Sequence, residues 1–227
     1  MIVGVGPDHG ANASAAGSWV AGPARALIVR LRELLVVAQD PLFVGIDGRS
    51  GTGKSTLAAA VSDGFTETGD DSLVTVIEGD QFYAGGSAAT WDRQPAAEKA
   101  DRVIDWRRQR DVLEQLRVRR VAEWRPFDWD ADDWDSEVVP LVPVPLVARA
   151  TPVIILEGAY SCRPELHDLL DLRVLLNVPG DLRRSQLLER DGHAYRADWE
   201  ARWSSAEDHY FATVMPPGRY DLVIGHT

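Results

Sequence analysis

Apolar residues gather in five short runs along the chain, and longer stretches of helical spacing lie between most of them. Pro41-Leu-Phe-Val-Gly-Ile-Asp47, Ser72-Leu-Val-Thr-Val-Ile-Glu78, Thr151-Pro-Val-Ile-Ile-Leu-Glu157, Leu172-Arg-Val-Leu-Leu-Asn-Val178 and Asp221-Leu-Val-Ile224 are rich in β-branched side chains, the pattern of buried strands. From Ala24 to Ala38, the residues Leu27, Leu31, Leu34, Leu35 and Ala38 form one stripe, which predicts a helix packed on the sheet before the first strand. Ser55-Thr-Leu-Ala-Ala-Ala-Val-Ser62 reads as a further helix opening. Short strands alternating with helices predict a parallel sheet, whose ligands gather beyond the carboxyl ends of its strands.

The interval from 84 to 150 is too long for one crossover and reads as an insertion. Within it Asp105 can cap a helix from Trp106 to Val118, Val121 to Phe127 reads as a strand, and Val138 to Val147, broken by prolines, reads as edge strand or extended loop. Residues 1–22, rich in Gly, Ala and Ser, read as a mobile tail without the charged and apolar regions of a signal peptide. Residues 23–227 then form one domain.

Chemistry enters between the first strand and the helix after it. Gly48-Arg-Ser-Gly-Thr-Gly-Lys-Ser-Thr56 fits GxxxxGK[ST], in which backbone N–H groups of the loop (Gly48, Ser50, Gly51, Thr52, Gly53) curl round a polyphosphate. Lys54 then reaches the outer phosphates, and the Ser55 hydroxyl, followed by Thr56, holds Mg²⁺. The chain has 24 basic residues, of which only Lys54 and Lys99 are lysine. Keeping lysine here fits the need for a compact ammonium inside a nest of amides, where a planar guanidinium is too wide. The helix N-terminus adds partial positive charge to the same spot.

Composition narrows the partners. A chain of 227 residues with 45% apolar and 26% charged content suits one globular domain with a lid or insertion. A net charge of −11 argues against a nonspecific nucleic-acid or anionic-membrane surface. No apolar run approaches the roughly 20 residues of a membrane-spanning helix. The single cysteine, Cys162, excludes an internal disulfide and suits a reducing compartment, so a cytoplasmic location is expected. The five histidines at 9, 167, 193, 209 and 226 have no metal-ligand spacing. Arg107, Arg108, Arg110, Arg117, Arg119 and Arg120 make a basic helix, read first as a charged face balanced by nearby acids and second as a contact for a phosphorylated acceptor. The chain leaves room for a homo-oligomer.

A phosphate loop becomes a phosphotransferase only with further carboxylates, one set for Mg²⁺ and one for the acceptor proton. Asp80 follows the second strand and Glu157 ends the third, so both face the phosphates by the carboxyl-end rule. The residues here resemble the uridine kinase and phosphoribulokinase group of P-loop kinases, and in particular its uridine kinase-like branch. The likeness spans about 41 to 227. It rests on Asp47-Gly-Arg-Ser-Gly-Thr-Gly-Lys-Ser-Thr56, Asp80-Gln-Phe-Tyr83, Asp105-Trp106 with Val112-Leu-Glu-Gln-Leu116, Ile155-Leu-Glu-Gly158 and Leu188-Glu-Arg-Asp191. The resemblance implies an α/β P-loop NTPase three-layer sandwich, a five-stranded parallel sheet with helices on both faces, an acceptor-binding insertion and a helical lid over 181–212. It implies Asp80 as general base for a sugar hydroxyl, joining Ser55 and Glu157 around Mg²⁺ directly or through water, and Tyr83 and Asp105 against the acceptor. Arg190 matches the lid arginine that closes over ATP; Arg183 and Arg184 sit slightly off the family spacing and carry over more weakly, Arg184 as a contact to the substrate.

Where uridine kinases carry a Pro-x-Tyr-Asp turn followed by a histidine, this chain reads Arg125-Pro-Phe-Asp128-Trp129. Phe127 therefore stands at an acceptor position without a hydroxyl, and hydrogen bonds to a nucleobase are lost. The expected activity is ATP-dependent, Mg²⁺-assisted phosphorylation of a hydroxyl on a small molecule, a nucleoside foremost. Pantothenate, a sugar phosphate or nicotinamide riboside is the alternative acceptor, and a nucleotide-dependent regulatory switch is the alternative class. The switch lacks support in sequence, since neither asparagine, Asn12 or Asn177, precedes a lysine as guanine reading requires.

Overall fold

The computed structural model describes residues 16–66, 73–131, 137–192 and 197–225. Most of the expected tail, Trp134, and His9, His193 and His226 lie outside these residues. Five parallel strands form the central sheet: β1 Leu42–Gly48, β2 Val74–Glu78, β5 Val153–Glu157, β6 Leu172–Asn177 and β7 Leu222–Gly225, in the order β2-β5-β1-β6-β7. β1 and β5 are buried along their whole length, which is why their sequences are almost continuously apolar rather than alternating. Period 2 survives in which face each residue takes. Phe43, Ile154 and Leu156 enter one core, while Val44, Ile46, Val153 and Ile155 enter the other.

The second of these cores is covered by α1 (Ala16–Val37) and α2 (Lys54–Thr66), through Val20, Ala24, Leu27 and Leu31 of the first and Leu57, Ala58, Val61 and Phe65 of the second. Burying a leucine fully contributes about 1.5–3 kcal/mol, so Leu27 and Leu31, both 0% exposed, tie α1 to the domain. The helix begins at Ala16 rather than at Ala24 and runs through Pro23. An internal proline costs a helix about 3 kcal/mol, and packing of Val20 and Ala24 beside it offsets that cost.

The opposite core is covered by α5 (Trp106–Arg119) and α7 (Ala197–His209), the latter continuing into one π-helical turn, Tyr210–Val214. Between β2 and α5 lie two short helices that the hydrophobic pattern does not reveal, α3 (Ala88–Asp92) and α4 (Ala96–Arg102). They are held by local capping and by anchors from afar. Ser87 caps α3, the Trp91 indole donates to the Gly85 carbonyl at 2.8 Å, and Arg202 of α7 pairs with Asp92 at 2.6 Å. The extended part of the insertion is a small antiparallel hairpin, β3 (Val121–Trp124) with β4 (Leu146–Arg149). β3 stops at Trp124, short of Phe127. Pro140, Pro143 and Pro145 withhold ladder donors, so β4 starts only at Leu146, and Phe127 meets Leu141 in a single bridge. α6 (Gly180–Asp191) follows β6. Among the described residues no helix is long and apolar enough to cross a membrane.

Candidate active site

Parallel pairing brings the carboxyl ends of β1, β2 and β5 side by side, with Ile46 opposite Glu157 and Glu78 opposite Glu157. The loop after β1 curls on itself. The Arg49 carbonyl accepts from Thr52 N at 3.3 Å, from Thr52 Oγ1 at 2.9 Å and from Lys54 Nζ at 3.1 Å. Gly51 has φ of +78°, and a Cβ there would lie 2.6 Å from the Arg183 carbonyl and 2.8 Å from Leu187 Cγ. A side chain at this position would strain the loop and push α6 away from it.

Ser55, at the start of α2, donates from Oγ to Glu157 Oε1 at 3.0 Å. Glu157 is 5% exposed and its pKa is pushed up to about 7. Burial is the main cause; the Asp80 and Glu78 charges add to it, while Lys54 and the Ser55 hydroxyl oppose it. A buried carboxyl beside a hydroxyl gives two oxygen donors of the kind a hard cation takes. Two cis ligands of an octahedral Mg²⁺ at about 2.1 Å lie roughly 3 Å apart. The Ser55 and Glu157 oxygens meet that spacing, so the donor set fits Mg²⁺.

Asp80 is exposed in the 3₁₀ turn Gly79–Phe82 that ends β2. That turn presses against the end of β5, where a Cβ on Gly79 would sit 2.9 Å from the Glu157 carbonyl. Ser55 bonds to Glu157, and Lys54 and Asp80 lie close enough for their charges to act on it, so the four groups gather at the carboxyl ends of β1, β2 and β5. The turn is pinned to the insertion, because Phe127 N donates to the Gln81 carbonyl at 2.7 Å and Trp124 Nε1 to Gln81 Oε1 at 2.9 Å. Tyr83 and Phe127, both 2% exposed, meet edge to face at 4.9 Å between ring centroids, and Trp129 stacks on Tyr83 at 5.0 Å. Asp105 accepts from the backbone N–H groups of Arg107 at 3.2 Å and Arg108 at 3.3 Å, so its carboxylate caps α5.

The arginines of α6 divide. Arg183 reaches the phosphate loop, donating from Nη1 to the Ser50 carbonyl at 3.0 Å. Arg184 lies 3.6 Å from Glu200, with its side chain 63% exposed, and Arg190 is exposed near the end of the helix. The basic helix balances its charge locally: Arg110 binds Asp168 at 2.6 and 2.7 Å, Arg117 donates to the Leu169 carbonyl at 2.7 Å, and Arg120 pairs with Asp40. Cys162 is buried, and burial pushes its thiol well above the usual range, so it is a core thiol.

Three contributions were not legible in the sequence. Glu207 of α7, 4% exposed, accepts from both Ser50 N at 2.8 Å and Ser50 Oγ at 2.7 Å. Trp199 and Trp203 of α7 come within 5.8 and 6.2 Å of the Tyr83 ring, and their four-residue spacing on a helix is the one local sign of a shared face. Asp47, the last side chain of β1, is wholly buried and surrounded by donors.

A family model described as the phosphoribulokinase / uridine kinase family matches residues 43–206. A uridine kinase of Oceanobacillus iheyensis is 29% identical over 161 residues, covering 67% of this chain and 69% of that protein. A uridine kinase of Lactobacillus johnsonii is 26% identical over 180 residues, covering 79% of each. Among solved structures, a possible uridine kinase from Bacillus stearothermophilus superposes with a TM-score of 0.63 at 22% identity, over 89% of this chain and 99% of its own. That last likeness carries the fold.

Proposed function

Because the chain belongs to the phosphoribulokinase and uridine kinase family and is a P-loop kinase by fold, we propose that it transfers the γ-phosphoryl group of ATP to a hydroxyl of a nucleoside. The observation that carries this reading is the meeting of the phosphate loop with two strand-end acids, Ser55 Oγ lying 3.0 Å from Glu157 Oε1 beside the turn that holds Asp80.

Each part of the site has work to do in this reading. The loop amides and Lys54, which leaves the Arg49 carbonyl for the β and γ phosphates, hold the triphosphate in line for attack. Ser55 and Glu157 would hold Mg²⁺, which when bound would supply positive charge to the phosphates. Asp80, exposed and close enough for its charge to act on Glu157, takes the proton of the acceptor hydroxyl as that oxygen attacks. Arg183 steadies the phosphate loop through the Ser50 carbonyl, and Arg190, on the lid, adds positive charge over the transferring group. Trp129, 43% exposed and stacked on the buried pair Tyr83 and Phe127, offers a flat apolar wall to a planar base, with Asp105 at the head of α5 as the polar contact. Arg184, paired with Glu200, serves the lid at a distance.

Phe127 favours a second acceptor within the same chemistry. It has no hydroxyl for a base edge, so a less base-dependent alcohol such as pantothenate, a sugar phosphate or nicotinamide riboside competes with the nucleoside. A panel of nucleosides, pantothenate and sugars, assayed for ADP release above the rate in water alone, separates these. Stimulation by a nucleoside is expected. Stimulation by another class moves the substrate, and no stimulation by any favours a regulatory P-loop protein. With the stimulating acceptor in hand, Asp80→Asn is expected to lower turnover by two to four orders of magnitude while ATP still binds. Near-normal turnover would remove Asp80 as the base.

A further inference from the structure

Asp47 closes β1 directly beneath the phosphate loop. It is 0% exposed and accepts from five neutral donors. Oδ1 takes Gly48 N at 2.8 Å and Tyr160 N at 2.9 Å. Oδ2 takes Cys162 N at 3.1 Å, the Tyr210 hydroxyl at 2.9 Å and the Tyr220 hydroxyl at 3.0 Å. Desolvating a carboxylate without a cation is unfavourable, so its retention here calls for a role beyond packing; the bond from Gly158 N to the Ile46 carbonyl at 3.1 Å already joins the ends of β1 and β5, and Asp47 carries that tie on to Gly48 and Tyr160.

The two oxygens serve different segments. Gly48 opens the loop that ends in Ser55, and Tyr160 lies three residues beyond Glu157. A single oxygen thus fastens the phosphate loop to the turn carrying the buried acid. Tyr160 needs such a fastening: its φ is +68°, a left-handed conformation that a bulky residue rarely adopts, and it is 3% exposed. The other oxygen secures the joined turns to the π-helical turn at Tyr210 and to Tyr220 before β7.

We propose that Asp47 is a positioning residue that holds the phosphate loop and the Glu157 turn in register, and so sets how strongly Mg²⁺ promotes nucleotide binding through Ser55 and Glu157. The inference rests on the phosphotransfer reading above.

The test measures affinity for a fluorescent ATP analogue across a Mg²⁺ titration, without turnover. In Asp47→Ala the metal-free affinity stays within about twofold of the unaltered protein, because the loop amides and Lys54 remain. The Mg²⁺ concentration for half-maximal enhancement rises about tenfold, since two donors lose the oxygen that joined them. Asp47→Asn rescues this response to within about threefold. Its remaining carbonyl oxygen still serves Gly48 and Tyr160, and its NH₂ group turns to the two tyrosine hydroxyls, which can accept, while the Cys162 N–H loses its acceptor, so the variant is less stable but keeps the register. Tyr210→Phe with Tyr220→Phe lowers thermal stability and leaves the Mg²⁺ response unchanged. If Asp47→Ala responds to Mg²⁺ like the unaltered protein, or if the double tyrosine variant shifts as far as Asp47→Ala, the inference is overturned. Should Asp47→Ala not fold, amide exchange on the unaltered protein decides: Gly48 and Tyr160 must slow together when analogue and Mg²⁺ are added, and an indifferent Tyr160 overturns the proposal. If Mg²⁺ fails to promote binding even in the unaltered protein, the phosphotransfer reading falls and takes the inference with it.

Discussion

Replacing Glu157 by Gln should stabilise the metal-free protein at alkaline pH. The carboxyl titrates near 4.5 in an open chain and is pushed up to about 7 in the fold, chiefly by burial. Between those values the folded state holds a proton that the unfolded state has released, so stability falls as pH rises through that window. Below pH 4.5 the penalty is absent, and above pH 7 it is complete. A shift of this size corresponds to about 3 kcal/mol, at 1.36 kcal/mol per unit. Gln keeps the shape and an oxygen that accepts from Ser55 Oγ, so the difference isolates the charge. In urea denaturation with chelator present, Glu157→Gln and the unaltered protein should match at pH 4.5, and the variant should be about 3 kcal/mol more stable at pH 8. In thermal scans that gap is roughly 6–12 °C for a chain of this length. The unaltered protein should recover the gap when Mg²⁺ and nucleotide are added, and the variant should not. A difference that is flat with pH would refute the account of Glu157 as a buried acid short of a cation.

Three further outcomes follow from the geometry. Arg183→Met should raise KM for ATP about tenfold or more with a smaller change in kcat, since Arg183 holds the Ser50 carbonyl before reaction. Arg190→Met should lower kcat more than it raises KM if the lid position acts on the transferring group, and steady-state kinetics on both variants distinguish the two. Leu27→Ala, at a site 0% exposed between α1 and α2, should lower stability by about 2–5 kcal/mol while leaving nucleotide affinity at 25 °C unchanged, as calorimetry and titration would show.

What could be read from the chain was whatever depends on local rules. The loop at Gly48 to Ser55 was legible because its glycines and its lysine answer to backbone geometry and phosphate charge alone. The placement of Glu157 was legible because it is the last side chain of a parallel strand, and that of Asp80 because it lies in the turn just after one. The start of α1 was misplaced because the apolar stripe is readable only from Ala24 on, while the contact that extends the helix, the burial of Val20, is tertiary. α3 and α4 have too few residues to show a period and depend on Ser87, Trp91 and the reach of Arg202 from α7. Glu207 and Asp47 could not be found from spacing, since their partners Ser50, Tyr160 and Tyr210 lie more than a hundred residues away. Among the lid arginines, the family pattern pointed to Arg190, whereas the side chain on the loop is Arg183, a distinction made by how α6 lies against Gly51.

The most direct test is a crystal structure of the protein with Mg²⁺ and a non-hydrolysable ATP analogue. The account predicts the triphosphate in the loop from Gly48 to Ser55, Lys54 on its outer phosphates, the metal against Ser55 and Glu157, and Asp80 facing the terminal phosphoryl group. An empty loop, or Glu157 and Asp80 both turned away from a bound nucleotide, would contradict it.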